Sequence, residues 1–258
     1  MLRQGVRRTN QVRSARLPEP LADGTFLVMT KPEPAALIVG ASRGLGFALV
    51  EEYLKQGWSV VATERSGTNT PLQQLARASE GRLEVERVDI NHPDHVEALR
   101  RRLQPRRFEL LFVNAGVGIR ESIANVSTDE FVRVMVTNAL SPMRFVEAFR
   151  EMVIDRGTIA VMSSGQGSIT NNERGGYDVY RASKTALKSL MRSFAALHRD
   201  EARTLLLLAP GWVRTDLGGP NARLRIDESI PPLVRTVTAQ DGHGGLHYLD
   251  YLGRTVPW

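Results

Sequence analysis

Tyr180 and Lys184 stand four residues apart in Tyr180-Arg181-Ala182-Ser183-Lys184, at the start of an amphipathic stretch. On a helix that spacing sets a phenol and an ammonium on one face, a turn apart. A tyrosine with an ordinary pKa of about 10 is a poor acid–base group near neutrality, and adjacent positive charge makes it ionise more readily. Lys184 supplies such a charge and can also hydrogen-bond a ribose. Upstream, Met162-Ser163-Ser164 closes an apolar run. A serine hydroxyl at the carboxyl end of a buried strand can hold a carbonyl oxygen beside the tyrosine O–H. Together these groups suit proton transfer at a carbonyl or alcohol oxygen. Tyr177 is a rival base, but no lysine follows it four residues on.

A second chemical feature is the turn Gly40-Ala41-Ser42-Arg43-Gly44-Leu45-Gly46, between the apolar run Ala35–Val39 and the helical run Phe47–Lys55. Glycines at a strand-to-helix turn let backbone approach a pyrophosphate, whose charge is favoured by the helix N-terminus. The residue ending the next strand chooses between dinucleotides: a carboxylate accepts from a ribose 2′-OH, whereas arginine accommodates a 2′-phosphate. Here Glu64 and Arg65 stand side by side. Arg43 and Arg65 could converge on a dianion, and Glu64 would repel it unless turned away. NADP(H) is therefore favoured over NAD(H).

These residues need elements to position them. Apolar runs of strand length occur at Ala36–Val39, Val60–Ala62, Leu110–Val113, Ile159–Met162 and Leu205–Ala209, with a weaker one at Leu83–Val88. Such runs suit strands buried on both faces of a parallel sheet. Helical patterns fall at about 44–56, 72–79, 92–103, 128–151 and 178–199, with a bend expected at Pro142. The alternation predicts βαβ units and an α/β fold.

With those elements in order, the chain resembles the short-chain dehydrogenase/reductase family. Gly40, Gly44 and Gly46 match its Gly-x-x-x-Gly-x-Gly turn, although Val39 replaces its usual threonine, and Asn114-Ala115-Gly116 matches its Asn-Ala-Gly. Ser164-Gly165-Gln166-Gly167 matches its catalytic Ser-x-x-Gly, Tyr180 and Lys184 its catalytic pair, and Asn138 its relay asparagine. Pro210-Gly211-Trp212-Val213-Arg214-Thr215 matches Pro-Gly-x-Val-x-Thr. Gly211 to Pro220, the sixteen-residue step from Ser164 to Tyr180 and the ending Pro257-Trp258 resemble the C-factor-like and sniffer-like carbonyl reductase branch.

The resemblance implies a single doubly wound Rossmann domain over 35–258, with a mostly parallel seven-stranded sheet and helices on both faces. It implies a catalytic set of Asn138, Ser164, Tyr180 and Lys184. The dinucleotide would meet Gly40, Ser42, Arg43, Gly44, Leu45, Gly46, Arg65, Asn114, Ala115, Gly116, Tyr180 and Lys184. Asp89 and Ile90 would lie by adenine, Pro210, Gly211 and Val213 by the carboxamide, and Thr215 by the pyrophosphate. The expected reaction is hydride transfer between NADP(H) and a carbonyl or alcohol substrate in a homodimer or homotetramer, associated through the helices carrying Asn138 and Tyr180. The runner-up is a dinucleotide-binding signalling protein of the C-factor type. Specificity is expected in Trp212 to about Pro232 and in Ser168–Tyr177, with Trp212, Leu217 and Ile230 as an apolar wall.

Composition excludes other classes. The 258 residues include no cysteine, which removes disulfides and thiolate metal sites and makes a reducing cytoplasm the default. No apolar run approaches membrane-spanning length. Of the +6 net charge, +3 falls in residues 1–28, so 1–34 reads as an Arg-rich tail or as sequence upstream of a start at Met29. Arg100, Arg101, Arg102, Arg106 and Arg107 lack an aromatic platform for nucleic acid and read as a solvated face at a helix C-terminus. His92, His95, His198, His243 and His247 are scattered, the last two in a Gly-rich loop, so no metal site is expected.

Overall fold

The computed structural model describes residues 33–258, and the expectations for the tail lie outside them. Seven strands form one sheet in the order β3-β2-β1-β4-β5-β6-β7. They are β1 (Ala35–Val39), β2 (Ser59–Glu64), β3 (Leu83–Arg87), β4 (Phe108–Val113), β5 (Val153–Met162), β6 (Thr204–Ala209) and β7 (Gly245–Asp250). Every pairing is parallel. The continuous apolar runs follow from burial on both sides. Leu37 and Val39 of β1, Leu111 and Val113 of β4, and Leu205 and Leu207 of β6 pack into one core. Their neighbours Ala36, Ile38, Leu110, Phe112, Leu206 and Leu208 pack into the other.

The first core is covered by α3 (Pro93–Leu103), α5 (Ser141–Phe149) and α6 (Asp178–Leu197). The second is covered by α1 (Gly44–Lys55), α2 (Pro71–Ala78) and α7 (Ile226–Ala239). This is the doubly wound Rossmann architecture. Strand order reverses between β1 and β4, so the loops leaving those two strands border the crevice where such sheets bind ligands.

Three expectations change. The 128–151 stretch is helical throughout, but its irregularity is not a bend at Pro142: α4 (Thr128–Met135) passes into a π-helical segment, Val136–Leu140, before α5. Pro142 directly follows that segment, in a backbone that stays helical through Leu140 and Ser141. His247 lies in β7 rather than in a loop, its Nε2 2.9 Å from the Gly244 carbonyl. Ile230 is buried in the second core beneath α7 and cannot line a substrate wall.

The arginine cluster is largely neutralised locally. Arg100 pairs with Glu97 at 2.7 Å, Arg102 with Glu86 at 2.8 Å and Arg106 with Glu84 at 2.7 Å. Among the described residues no group of three His, Asp or Glu side chains could hold a metal, and no helix is long and apolar enough to cross a membrane.

Candidate active site

The glycine turn leaves β1 against the end of β4. Gly40 has φ +83°, and a Cβ there would lie 2.7 Å from the Ala115 Cα, so both conformation and space demand glycine. At Gly46 a Cβ would meet the Gly40 carbonyl oxygen at 2.1 Å. Asn114 Nδ2 donates to that same carbonyl at 2.8 Å, tying the two loops together. The family's missing threonine is replaced from a neighbouring strand: Thr63 Oγ1 accepts from the Gly40 N–H at 3.1 Å.

No side chain caps the start of α1, where Arg43 is the N-cap, so the first-turn N–H groups face the crevice without a side-chain acceptor. Ser42 and Arg43 are exposed, and Arg43 pairs with Asp216 at 2.9 Å. The Thr215 methyl lies against Gly44, 3.7 Å from where its Cβ would be. Pro210 and Val213 are buried, and Gly211 is exposed at φ +85°. A cradle with this uncapped helix start, close-packed glycines and Thr215 fits a dinucleotide pyrophosphate. Leu45 is half-buried on α1, packed against the second core.

Glu64 ends β2 and is 1% exposed, with its carboxylate accepting from Thr70 Oγ1 at 2.8 Å and from Gln73 Nε2 at 2.5 Å. Arg65 is exposed. Beyond β3, Asp89 accepts from the Asn91 N–H at 2.9 Å and Ile90 is buried.

At the carboxyl edge of β4, β5 and the start of α6, the remaining polar groups converge. Lys184 is 4% exposed, and its Nζ donates to the Met162 carbonyl at 2.9 Å. Burial pushes its pKa down to about 8, because removal from water penalises the ammonium. Burial raises the Tyr180 pKa, and the nearby Ser164 side chain opposes the rise. Ser164 Oγ also accepts from the Gln166 N–H at 3.2 Å.

Asn138 sits in the π segment and is wholly buried. Its Oδ1 accepts from the Val117 N–H at 2.8 Å, and its Nδ2 donates to the Val117 carbonyl and to Ser183 Oγ. A Cβ at Gly116 would lie 3.2 Å from Asn138 Oδ1 and 3.5 Å from Lys184 Nζ, so both groups border the Asn-Ala-Gly loop. The structure therefore gathers the four candidate catalytic residues along one edge. Tyr177 stands apart as the N-cap of α6, in a left-handed conformation and 39% exposed.

Some participants were invisible to motif reasoning. Tyr248 of β7 donates its hydroxyl to the Ser164 carbonyl at 2.5 Å, and burial pushes its pKa up to about 12, keeping it a donor. Asn91 reaches the π segment, donating to Thr137 Oγ1 at 3.0 Å and accepting from Ser141 Oγ at 2.8 Å. Trp212 is 51% exposed, with its Nε1 bonded to the Gly218 carbonyl, and Leu217 is 48% exposed against Gly118.

Sheet order, crevice and glycine cradle define a Rossmann-type dinucleotide-binding fold. A family model described as short chain dehydrogenase matches residues 34–224, and the chain belongs to that family. Within it the similarity runs to the C-factor-like and sniffer-like branch. C-signal of Myxococcus xanthus is 35% identical over 155 residues, 58% of this chain and 92% of that protein. A short-chain dehydrogenase/reductase of Burkholderia multivorans, solved with bound NADP, is 54% identical with a TM-score of 0.86, covering 88% of this chain and all of that one. The carbonyl reductase Sniffer of Drosophila melanogaster is 27% identical with a TM-score of 0.79, covering 88% of this chain and all of that one.

Proposed function

We propose that this oxidoreductase is an NADP(H)-dependent carbonyl reductase whose reaction runs through Asn138, Ser164, Tyr180 and Lys184. The observation that carries the reading is their convergence beside the glycine cradle: Asn138 Oδ1 and Lys184 Nζ both border Gly116, and Lys184 is tied to the Met162 carbonyl at the end of the strand that leads into Ser164. A bound nicotinamide would supply the hydride. The protein supplies the rest. Ser164 and Tyr180 direct two hydroxyl donors at the substrate oxygen, where preorganised donors contribute most as negative charge develops. Tyr180 gives up its proton, Lys184 stabilises the tyrosinate that remains and anchors ribose, and Asn138 belongs to a proton path toward solvent.

NADP(H) rather than NAD(H) is supported by two features. Glu64 is turned away into hydrogen bonds with Thr70 and Gln73, and Arg65 is left exposed beside it. Arg43 is held only by an exposed pair with Asp216, the kind that contributes little and opens readily. NADP in the Burkholderia relative agrees with this assignment. The substrate is a small aldehyde or ketone admitted between the Trp212–Leu217 segment and the Ser168–Tyr177 loop.

Turnover of an aldehyde and ketone panel with NADPH tests the reading. Tyr180→Phe removes the proton donor and should cut kcat by at least about 1,000-fold while NADP+ affinity stays within about threefold. A Tyr180→Phe enzyme that still reduces the panel overturns it. Similarity to C-signal motivates a second reading, dinucleotide-dependent signalling without turnover, and a wild-type chain that binds NADPH yet reduces no carbonyl compound would favour that one.

We also propose self-association. An apolar groove between the π segment and α6 is lined by Met135, Val136, Ala139, Leu140, Ala186 and Leu190, with Leu140 and Leu190 exposed. The homodimer or homotetramer would form across this face.

A further inference from the structure

The position that ends β2 poses a problem of charge. A carboxylate there can accept from a ribose 2′-OH, and the same carboxylate repels a 2′-phosphate. Glu64 occupies it, yet its side chain is 1% exposed. Thr70 Oγ1 donates to Oε2 at 2.8 Å and Gln73 Nε2 to Oε1 at 2.5 Å. Both donors belong to the start of α2, where Thr70 is the N-cap and its Oγ1 also accepts from the Gln73 N–H at 3.2 Å. The helix N-terminus adds a favourable field for the negative charge.

Gln73 does more than hold Glu64. Its Oε1 accepts from the Asn69 N–H at 2.8 Å, and its Nε2 lies 3.3 Å from the Gly67 carbonyl, which Arg87 also contacts at 2.7 Å. The loop carrying Arg65 is thus pinned by the side chain that captures Glu64. Among the described residues Arg65 has no ion pair. Successive residues at a strand end point in opposite directions, so Glu64 turned inward leaves Arg65 turned outward. Rotation of Glu64 toward a nucleotide would strip donors from a buried carboxylate and leave Gln73 and Thr70 without their acceptor.

We infer that Thr70 and Gln73 are specificity-determining positioning residues: they withdraw the Glu64 carboxylate from the nucleotide 2′ position and leave that position to Arg65. The inference rests on the NADP(H) reading above but concerns how a chain with an acidic residue at this site achieves it. Releasing the carboxylate should move the preference toward NAD(H), because Glu64 then becomes free to accept from a 2′-OH and to repel a 2′-phosphate.

The test is the ratio of dissociation constants for NADP+ and NAD+, titrated by quenching of tryptophan fluorescence, with thermal unfolding as the check on folding. Thr70→Val/Gln73→Ala should lower the preference for NADP+ at least tenfold. Adding Glu64→Gln to that double variant should return the ratio to within about threefold of wild type, a recovery that general loosening of the loop would not produce. Arg65→Ala should weaken NADP+ alone. If the double variant does not fold, Gln73→Met retains side-chain volume and should shift the ratio about threefold. A double variant or Gln73→Met that folds with the wild-type ratio overturns the clamp, and if Arg65→Ala still loses NADP+ selectively, the cofactor reading stands without it. Wild-type protein that binds NAD+ at least as tightly as NADP+ overturns the cofactor reading itself.

Discussion

Lys184 carries a conflict between stability and chemistry. Its ammonium is buried with one carbonyl acceptor, that of Met162, and burial lowers its pKa from 10.5 to about 8. The folded state therefore binds this proton less tightly than the unfolded chain does. Stability rises with pH across the window from about 8 to 10.5, and below that window the charged form costs about 3 kcal/mol. Lys184→Met removes the penalty but leaves the Met162 carbonyl without its donor, a loss of about 1–2 kcal/mol. Urea unfolding should thus find Lys184→Met more stable than wild type by about 1–2 kcal/mol at pH 7, with the difference gone or reversed by pH 10. Carbonyl reduction should be lost in the same variant. A variant less stable than wild type at pH 7 would mean that the ammonium is not penalised. The four candidate catalytic residues were legible in the sequence because their types and order are restrictive. Tyr248, Thr63 and Gln73 were not: each acts through a hydroxyl or amide on a backbone group or carboxylate, at separations of 84, 23 and 9 residues that carry no motif.

At the scale of elements, the strands with apolar faces on both sides were the most legible, β3 with its alternating Leu-Glu-Val-Glu-Arg was weaker, and β7 was missed. β7 begins with the exposed Gly245 and carries His247, which makes it read as a loop. α7 holds Pro231 and Pro232 inside the helix, where they break the helical pattern in the sequence; the helix is held by its buried face of Ile230, Leu233, Val234 and Val237. The π segment is hard to read in the sequence, since its inserted residue only shifts the phase of the apolar pattern and calls for no particular residue type. What stabilises it is tertiary: Asn91, just past β3, bonds both Thr137 at its start and Ser141 just beyond its end. Asn91→Leu removes two partly buried hydrogen bonds and should destabilise the fold by about 1–3 kcal/mol in urea. Because the π segment presents Asn138 to the Asn-Ala-Gly loop, kcat should fall about tenfold or more while NADP+ affinity stays within threefold. Unchanged kcat in a destabilised variant would restrict Asn91 to a structural role.

At the scale of the molecule, the groove proposed for self-association and the candidate active site share their walls. Ala139 follows Asn138 in the π segment, and Ala186 and Leu190 follow Lys184 along α6, so a partner pressed on one face braces the elements that hold the other. Leu140 is 38% and Leu190 40% exposed in the single chain, side chains whose burial contributes about 1.5–3 kcal/mol each when complete. Arg100, Arg102 and Arg106 add little repulsion to association, because they are paired with Glu97, Glu86 and Glu84. Light scattering behind size exclusion should therefore find wild type as a dimer or tetramer at micromolar concentration. Leu140→Glu/Leu190→Glu should run as a monomer, since two carboxylates per chain would have to be desolvated in the interface. Specific activity adds a second readout: wild type should lose activity on dilution as the complex dissociates, whereas the double variant should show low activity independent of concentration. A wild-type monomer with concentration-independent activity would sever the groove from the site and leave its apolar side chains as surface packing alone.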